Sequence, residues 1–300
     1  MATEPIDLLH LGSAKTIGAY VVETDDGPAL HDCGPSSCVE HLERGLEERG
    51  LALTEIRHLL LSHIHLDHAG AAGVLVRRHP ALTVHVSEVG APHLIDPSRL
   101  EASARRLYGD AFDELWGELA PVPEANVRIA AGSVVGLEAF PTPGHAWHHV
   151  SYLHEDGTLY AGDAAGVRIE PSRFVLPPCP PPELDLEAWE QTLDELERRG
   201  PAALALIHFG VFDDVQSHLR RLRETLGRWA KWAEDGMDEA TFRAAARADI
   251  AATDPGVDDA YDRAAPLWHT FRGLERYWRK RREAAASCRR AKAAPFTSCP

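Results

Sequence analysis

The chain has 300 residues, 44% hydrophobic and 26% charged, with a net charge of -15. That is the make-up of a globular protein with a substantial core, and its acidic balance argues against a broad nucleic-acid face, which needs clustered Lys and Arg. The five cysteines (Cys33, Cys38, Cys179, Cys288, Cys299) lack a CxxC pair, which excludes a zinc knuckle and a disulfide framework.

In chain order, apolar stretches at 6–11 and 18–23 come first. Asp25-Asp26-Gly27-Pro28 is a turn signal, so residues 19–22 and 29–32 read as a hairpin. Asp32 closes its second strand. It has two readings: a plain turn residue, or a buried carboxylate holding a neighbouring ligand loop. Residues 39–49 form an amphipathic helix closed by Gly50.

Leu59-Leu60-Leu61 is too short for a helix and reads as a buried strand. It runs into Ser62-His63-Ile64-His65-Leu66-Asp67-His68-Ala69-Gly70. Strand geometry puts His63 and His65 on one side as the chain leaves the sheet. Asp67 and His68 then sit at the start of a helix expected over 69–78. Imidazole and carboxylate together suit zinc, iron or manganese. Histidines that merely fill a loop are a poor account of this spacing.

Residues 82–86 read as a strand, 89–95 as a short helix, and 97–119 as an inserted helical region. Leu100, Ala104, Leu107 and Tyr108 share one face of that insertion, continued by Phe112, Leu115, Trp116 and Leu119. Core packing is their first reading and a roof over the metal loop their second. Three more ligand candidates follow at strand ends, where open sheets place such sites. They are His145 in Pro141-Thr142-Pro143-Gly144-His145, Asp163 after Leu159-Tyr160-Ala161-Gly162, and His208 after Leu204-Ala205-Leu206-Ile207.

The proline-rich segment 177–182 reads as a stiff surface connection. Leu186 to Arg199 is a helix. Asp213, with Gln216 three residues on, reads as the N-cap of a long helix through Glu234. Asp238 begins another helix and 264–282 forms a last one. The expected organisation is a catalytic domain over 1–212, a helical appendage over 213–285 and a basic, flexible tail over 286–300. No signal peptide is visible and no apolar run approaches the ~20 residues of a membrane span. The expected location is cytoplasmic, without a membrane partner.

From residue 6 to about 212 the sequence resembles the metallo-β-lactamase-fold hydrolases. The matching elements, in order, are Asp32-Cys33-Gly34, the Ser62-to-Gly70 run, Thr142-Pro143-Gly144-His145, Gly162-Asp163 and His208. The resemblance implies an α/β fold, a four-layer αββα sandwich, here followed by the C-terminal helical appendage. It also implies two divalent metal ions, zinc first and iron or manganese as alternatives. His63, His65 and His145 would hold one, Asp67, His68 and His208 the other, and Asp163 would bridge them.

Departures from subfamily patterns narrow the resemblance. Asp163 stands where some true zinc β-lactamases use cysteine, and His65 stands where flavodiiron proteins have Glu. Hydroxyacylglutathione hydrolases and acyl-homoserine lactonases share the ligand set, and that branch is the nearest in kind. Their third motif continues as Thr-Pro-Gly-His, whereas this chain reads Ala146-Trp147-His148-His149.

The implied chemistry is attack of metal-activated water on an ester-like bond, thioester or lactone, of a small molecule. Asp67 is then the catalytic residue that orients the water and protonates the leaving group. The alternatives are an iron oxygenase resembling persulfide dioxygenases, a phosphodiesterase or nuclease, and a non-catalytic binding protein. The expected partner is a small-molecule substrate and not nucleic acid; an oligomer is compatible with the sequence.

Overall fold

Tight turns and alternating strands build two sheets in this computed structural model, which describes residues 4–293, with side chains described to residue 287. The first sheet contains β1 (Ile6–Asp7), β2 (Gly18–Thr24), β3 (Gly27–His31), β4 (His58–Leu60), β5 (Thr83–Val86) and β6 (Val127–Ile129), side by side in that order. The expected hairpin is β2–β3: Thr24 pairs with Gly27, whose φ of 94° suits the turn. From β3 to β6 the strands run parallel, joined by crossovers.

The second sheet holds β7 (Gly132–Val134), β8 (Leu137–Pro141), β9 (Val150–Leu153), β10 (Thr158–Tyr160), β11 (Ala203–Leu206) and β12 (Gly210–Phe212). Its pairings are antiparallel except for β10 with β11.

Side-chain alternation with period two explains the layering. Ala139, Tyr160 and Ala205 join Tyr20, Leu30 and Leu59 in the apolar cluster that takes in both sheets. Their neighbours Phe140, Leu159, Leu204 and Leu206 turn the other way, toward Trp189, Leu193 and Leu219. Helices Val39–Glu47 and Ala72–Arg78 pack with the first cluster, and Leu186–Arg199 with the second. The result is the α/β sandwich of four layers.

The C-terminal helices Val215–Glu234, Glu239–Thr253, Asp258–Ala264 and Leu267–Ala293 continue the second cluster through Trp229, Phe242, Tyr261 and Leu274. Helix Asp258–Ala264 has no counterpart in the sequence reading. The last helix continues to Ala293, and the remainder of the expected tail, 294–300 with Cys299, lies outside the described residues. Asp213 is not the N-cap: Asp214 holds that position, and its carboxylate pairs with Arg168 at 2.5 Å and Arg221 at 3.2 Å instead of capping. Asp238 does cap, accepting from Thr241 N at 2.9 Å. Among the described residues no helix is long and apolar enough to cross a membrane.

Two buried phenols tie the sheets together at the end that carries the histidines. Tyr20 donates toward Leu206 O (2.9 Å) and Gly210 O (2.8 Å), and Tyr152 toward Leu61 O (2.9 Å). Both link a strand of one sheet to backbone flanking a histidine of the other.

Candidate metal centre

β4 stops at Leu60 and the chain turns directly into the histidine-rich run. The single helix expected at 69–78 is two: Leu66–Ala69 and Ala72–Arg78. His65 therefore occupies an N-cap position, and Asp67 and His68 lie in the first, short helix. His145 follows β8, Asp163 lies in the 3-10 turn Gly162–Ala165 after β10, and His208 lies between β11 and β12. At Gly162 φ is 50°, and a Cβ would come within 2.6 Å of both His149 Nε2 and Ser62 Cβ. Only glycine lets this turn approach the histidine loop so closely.

All seven candidate ligands converge. His65 Nδ1 lies 2.8 Å from His63 Nε2 and 2.9 Å from His145 Nε2. On the other side, His208 Nε2 is 3.5 Å from Asp67 Oδ2, and His68 Nε2 is 4.0 Å from the same oxygen. Asp163 stands between the two groups. Its Oδ2 is 3.4 Å from His145 Nε2, while its Oδ1 is 3.3 Å from His68 Nε2 and 3.7 Å from His208 Nε2. Within each trio, His63–His65–His145 and Asp67–His68–His208, the ligand-type atoms lie within 4.8 Å of one another.

The donor set fits divalent metal. His68 Nε2, Asp163 Oδ1 and His208 Nε2 are buried without a hydrogen-bond partner, a costly state for polar atoms that nothing else satisfies. The opposite ring nitrogens are all engaged. His68 Nδ1 bonds Asp32 Oδ2 (2.7 Å), His145 Nδ1 donates to Pro178 O (2.8 Å), and His208 Nδ1 donates to Thr16 O (2.6 Å). Such outer bonds fix the tautomer and present the inner lone pair to a metal.

Asp32 is the buried anchor and not a plain turn residue. Its carboxylate accepts from Ser62 N (2.7 Å) and Ser62 Oγ (2.8 Å) besides His68, and its backbone sits at φ 53°. The acidic surroundings also bias charge. Burial alone would lower the His68 pKa, but Asp163, Asp32 and Asp67 raise it well above the usual histidine value. Burial would likewise raise the Asp67 carboxyl, yet His68 and His208 hold it below the ordinary carboxylate range.

A cavity of about 530 Å³ opens beside the cluster, reached by His65, Asp67, His145 and Asp163. Tyr108, Trp116 and Trp268 line it. The segment 177–182 is a correction to the sequence reading. Pro177 to Pro180 are buried, not a surface connection, and Pro178 supplies both cavity wall and the carbonyl that orients His145.

The model of the metallo-beta-lactamase superfamily matches residues 17–208. The chain belongs to that superfamily. It is 27% identical over 185 residues to the metallo-beta-lactamase fold-containing protein ST1585 of Sulfurisphaera tokodaii, covering 57% of this chain and 67% of that one. It is also 27% identical over 177 residues to the N-acyl homoserine lactonase of Bacillus cereus, covering 50% of this chain and 61% of the lactonase. Among these and other curated relatives the matched share of the relative falls as low as 37%.

Of solved structures, that of ST1585 superposes with a TM-score of 0.62 at 20% identity over 91% of this chain and 97% of its own. TTHA1623, solved in a di-iron-bound form, gives 0.55 at 26% identity over 73% and 98%.

The sequence reading missed three working residues of this superfamily member. His149 accepts from Asp163 N (3.1 Å) through Nε2 and bonds Thr142 Oγ1 (2.7 Å) through Nδ1, so it holds the Asp163 turn. His148 and Glu183 both line the cavity, 3.0 Å apart. The consecutive histidines after His145 were the available signal; Glu183, 35 residues further along, gave none.

Proposed function

We propose that the chain is a metal-dependent hydrolase that cleaves an ester-like bond, thioester or lactone, of a small substrate, with two divalent ions in the cluster. The observation that carries this reading is Asp163, whose two oxygens face different histidine groups at 3.3–3.4 Å. A terminal ligand needs only one such face, whereas a bridging one needs both. His63, His65 and His145 would hold one ion, and Asp67, His68 and His208 the other. When bound, the pair supplies Lewis acidity, drawing the pKa of water toward ~7 and polarising a carbonyl oxygen.

The chain's own residues do the rest. The Asp67 carboxylate, held ionised by its histidine neighbours, accepts a hydrogen bond from the attacking water through the oxygen not turned to the ligand trio and aims it. It then carries that proton to the leaving thiolate or alkoxide. Asp32, Ser62 and His149 keep the ligand loops in register, so that little reorganisation accompanies reaction. Buried Pro178 and half-buried Trp268 wall the cavity and limit the access of bulk water. The lactonase among the relatives supports the ester-bond reading, and the di-iron-bound form of TTHA1623 supports a two-metal site and keeps iron a candidate beside zinc.

The test is elemental analysis of protein purified without chelator, paired with assays on thioesters, lactones and phosphodiesters. The expected result is about two ions per chain and metal-dependent turnover of at least one thioester or lactone. A single iron with oxygen consumption and no hydrolysis would replace this reading with an oxygenase.

A further inference from the structure

Two elements outside the sandwich meet at the cavity and bring one polar ring each. Tyr108 ends helix Ser98–Tyr108, and His269 lies near the start of the last helix, Leu267–Ala293. Both line the cavity that Asp67, His145 and Asp163 reach, and their ring centroids are 6.1 Å apart.

Packing fixes where each ring stands. Leu66, the residue before Asp67, belongs with Ala104 and Phe112 to the apolar cluster against which Tyr108 and Trp116 pack. Tyr108 is thereby tied to the short helix that presents Asp67. His269 is tied to the other trio. Pro178 O bonds His145 Nδ1 at 2.8 Å, and the next residue, Cys179, donates from its N–H to Thr270 Oγ1 at 3.4 Å. Four residues on from His269, a Cβ at Gly273 would come within 1.9 Å of Cys179 O, so the last helix docks on this segment as closely as glycine allows.

Neither ring has a partner. Among the described residues the Tyr108 hydroxyl makes no hydrogen bond, nor does either ring nitrogen of His269, whose Nε2 is buried. The indole nitrogen of Trp116, another ring of the cavity wall, is also buried without a partner. Phenols and indoles held in a protein interior usually find a hydrogen bond, and unpaired buried polar atoms are costly. Loose packing does not account for the omission. Tyr108 lies edge-on to Trp116 (5.1 Å), Trp268 (6.3 Å) and His269, which together hold its ring.

The chemistry of the two rings is that of neutral groups. Burial, and then the charge of Asp67, raise the Tyr108 phenol above its usual value, while burial pushes the His269 imidazole down to about 4. A neutral phenol donates one hydrogen bond, and a neutral imidazole offers one N–H and one lone pair. Asp67, Asp163, Glu183 and Asp262 line the same cavity. Their charge disfavours a carboxylate beside the two rings and leaves a neutral oxygen unopposed.

We propose that Tyr108 and His269 are substrate-binding residues: by hydrogen bonds they hold a neutral oxygen next to the scissile bond of an uncharged lactone or ester-like compound, and the C-terminal appendage thereby completes the site. The apolar remainder of the substrate meets Leu100, Ala104 and Leu107, which line the cavity from the Tyr108 helix. The inference rests on the ester-bond reading for the bond that is cleaved, but not for the existence of the two-ring subsite.

The experiment uses δ-decalactone and its unreactive isostere δ-decalactam with the full-length, metal-bound protein. Lactam affinity is measured by equilibrium dialysis, and lactone hydrolysis by titration of the acid released. Tyr108→Phe and His269→Phe remove the hydrogen-bonding atoms and keep an aromatic ring. The expected result is that the parent binds the lactam and that each variant binds it about tenfold more weakly. KM for the lactone rises by a similar factor while metal content stays that of the parent. His269→Gln, which keeps a donor and an acceptor, recovers part of the loss.

Failure of the parent to bind the lactam, or equal binding by the parent and both variants, overturns the subsite. So does a fall in affinity that tracks loss of metal, since the rings would then be bracing the ligand loops. A loss confined to Tyr108→Phe overturns the part assigned to His269, and with it the part assigned to the appendage. Absence of turnover on lactone and thioester alike, with lactam binding and its dependence on both rings intact, overturns the hydrolase reading and leaves the subsite standing.

Discussion

Asp32 Oδ2 and His68 Nδ1 lie 2.7 Å apart with both side chains fully buried, and the opposite nitrogen of His68 faces Asp163 at 3.3 Å. One carboxylate thus fixes the tautomer and aim of a group that faces the other. Asp32→Asn keeps the size and the tolerance of positive φ but not the charge. The expected outcome is a folded protein whose affinity for metal falls roughly 10- to 100-fold, read by competition with a chromophoric chelator. Metal retention equal to the parent would show that the bond does not orient His68.

Asp163 should matter to metal number more than to folding, because its two oxygens serve two groups. Asp163→Asn is expected to keep the circular dichroism spectrum of the parent while its metal content falls from two ions toward one and most activity disappears. Normal hydrolysis by this variant would remove the bridging assignment.

Much of this centre is legible in the sequence because it is local. His63, His65, Asp67 and His68 lie within six positions, and their convergence follows from a strand running into a short helix. His145, Asp163 and His208 were legible as strand-end residues. What joins them was not, since it depends on contacts between residues far apart in the chain. Nothing near Pro178 marks it as the acceptor for His145, 33 residues away, and its prolines suit a surface connection as well as a buried wall. Asp213 and Asp214 are equal as N-cap candidates until Arg168, 46 residues before Asp214, enters the account. Asp32 was undecided for the same reason. Its role is set by Ser62 and His68, not by the turn it sits in.

Gly162 offers a test of how tightly the Asp163 turn is held. Gly162→Ala imposes φ 50° on a residue with a side chain and drives its Cβ to 2.6 Å from His149 and Ser62. Strain of this kind costs about 1–3 kcal/mol. The expected outcome is a lower denaturation midpoint together with weaker metal retention, because the displaced neighbours hold the ligand loops. Unchanged stability and metal content would mean that the turn relaxes without disturbing either.

Acid sensitivity should have a component remote from the ligands themselves. His218 is fully buried, donates from Nε2 to Ala165 O at 2.7 Å, and is pushed down to about 4 by burial. The folded state therefore keeps the ring neutral while the unfolded chain protonates near 6.5. Its stabilisation is complete above about pH 6.5 and is lost as pH falls toward 4, by about 3 kcal/mol in all. His218→Gln keeps a donor but does not titrate. Urea midpoints at pH 7 and pH 4.5 should therefore converge in the variant relative to the parent; loss of metal in acid affects both proteins and cancels in the comparison. An identical pH dependence would place the acid sensitivity elsewhere.

A carbonyl hydrolase and a nuclease can use the same metals, and salt separates them. A protein that grips nucleic acid displaces counterions, so its affinity falls with a log–log slope of about -0.9 per phosphate neutralised. The chain is acidic overall, and near its C-terminal end Arg279 pairs with Glu275 and Arg281 with Glu187, which reduces the basic charge there. The arginines that line the cavity are Arg99 and Arg263, beside carboxylates Asp96 and Asp259, which is little cationic charge for a strand of phosphates. The expected outcome is metal-dependent turnover of an uncharged thioester or lactone that changes little between 50 and 200 mM salt, conditions that span the steep range for nucleic-acid binding, and no metal-dependent cleavage of RNA or DNA at either. Efficient, salt-sensitive cleavage of nucleic acid, abolished by a chelator, would overturn the ester-bond assignment, because the metals would then be serving phosphodiester chemistry.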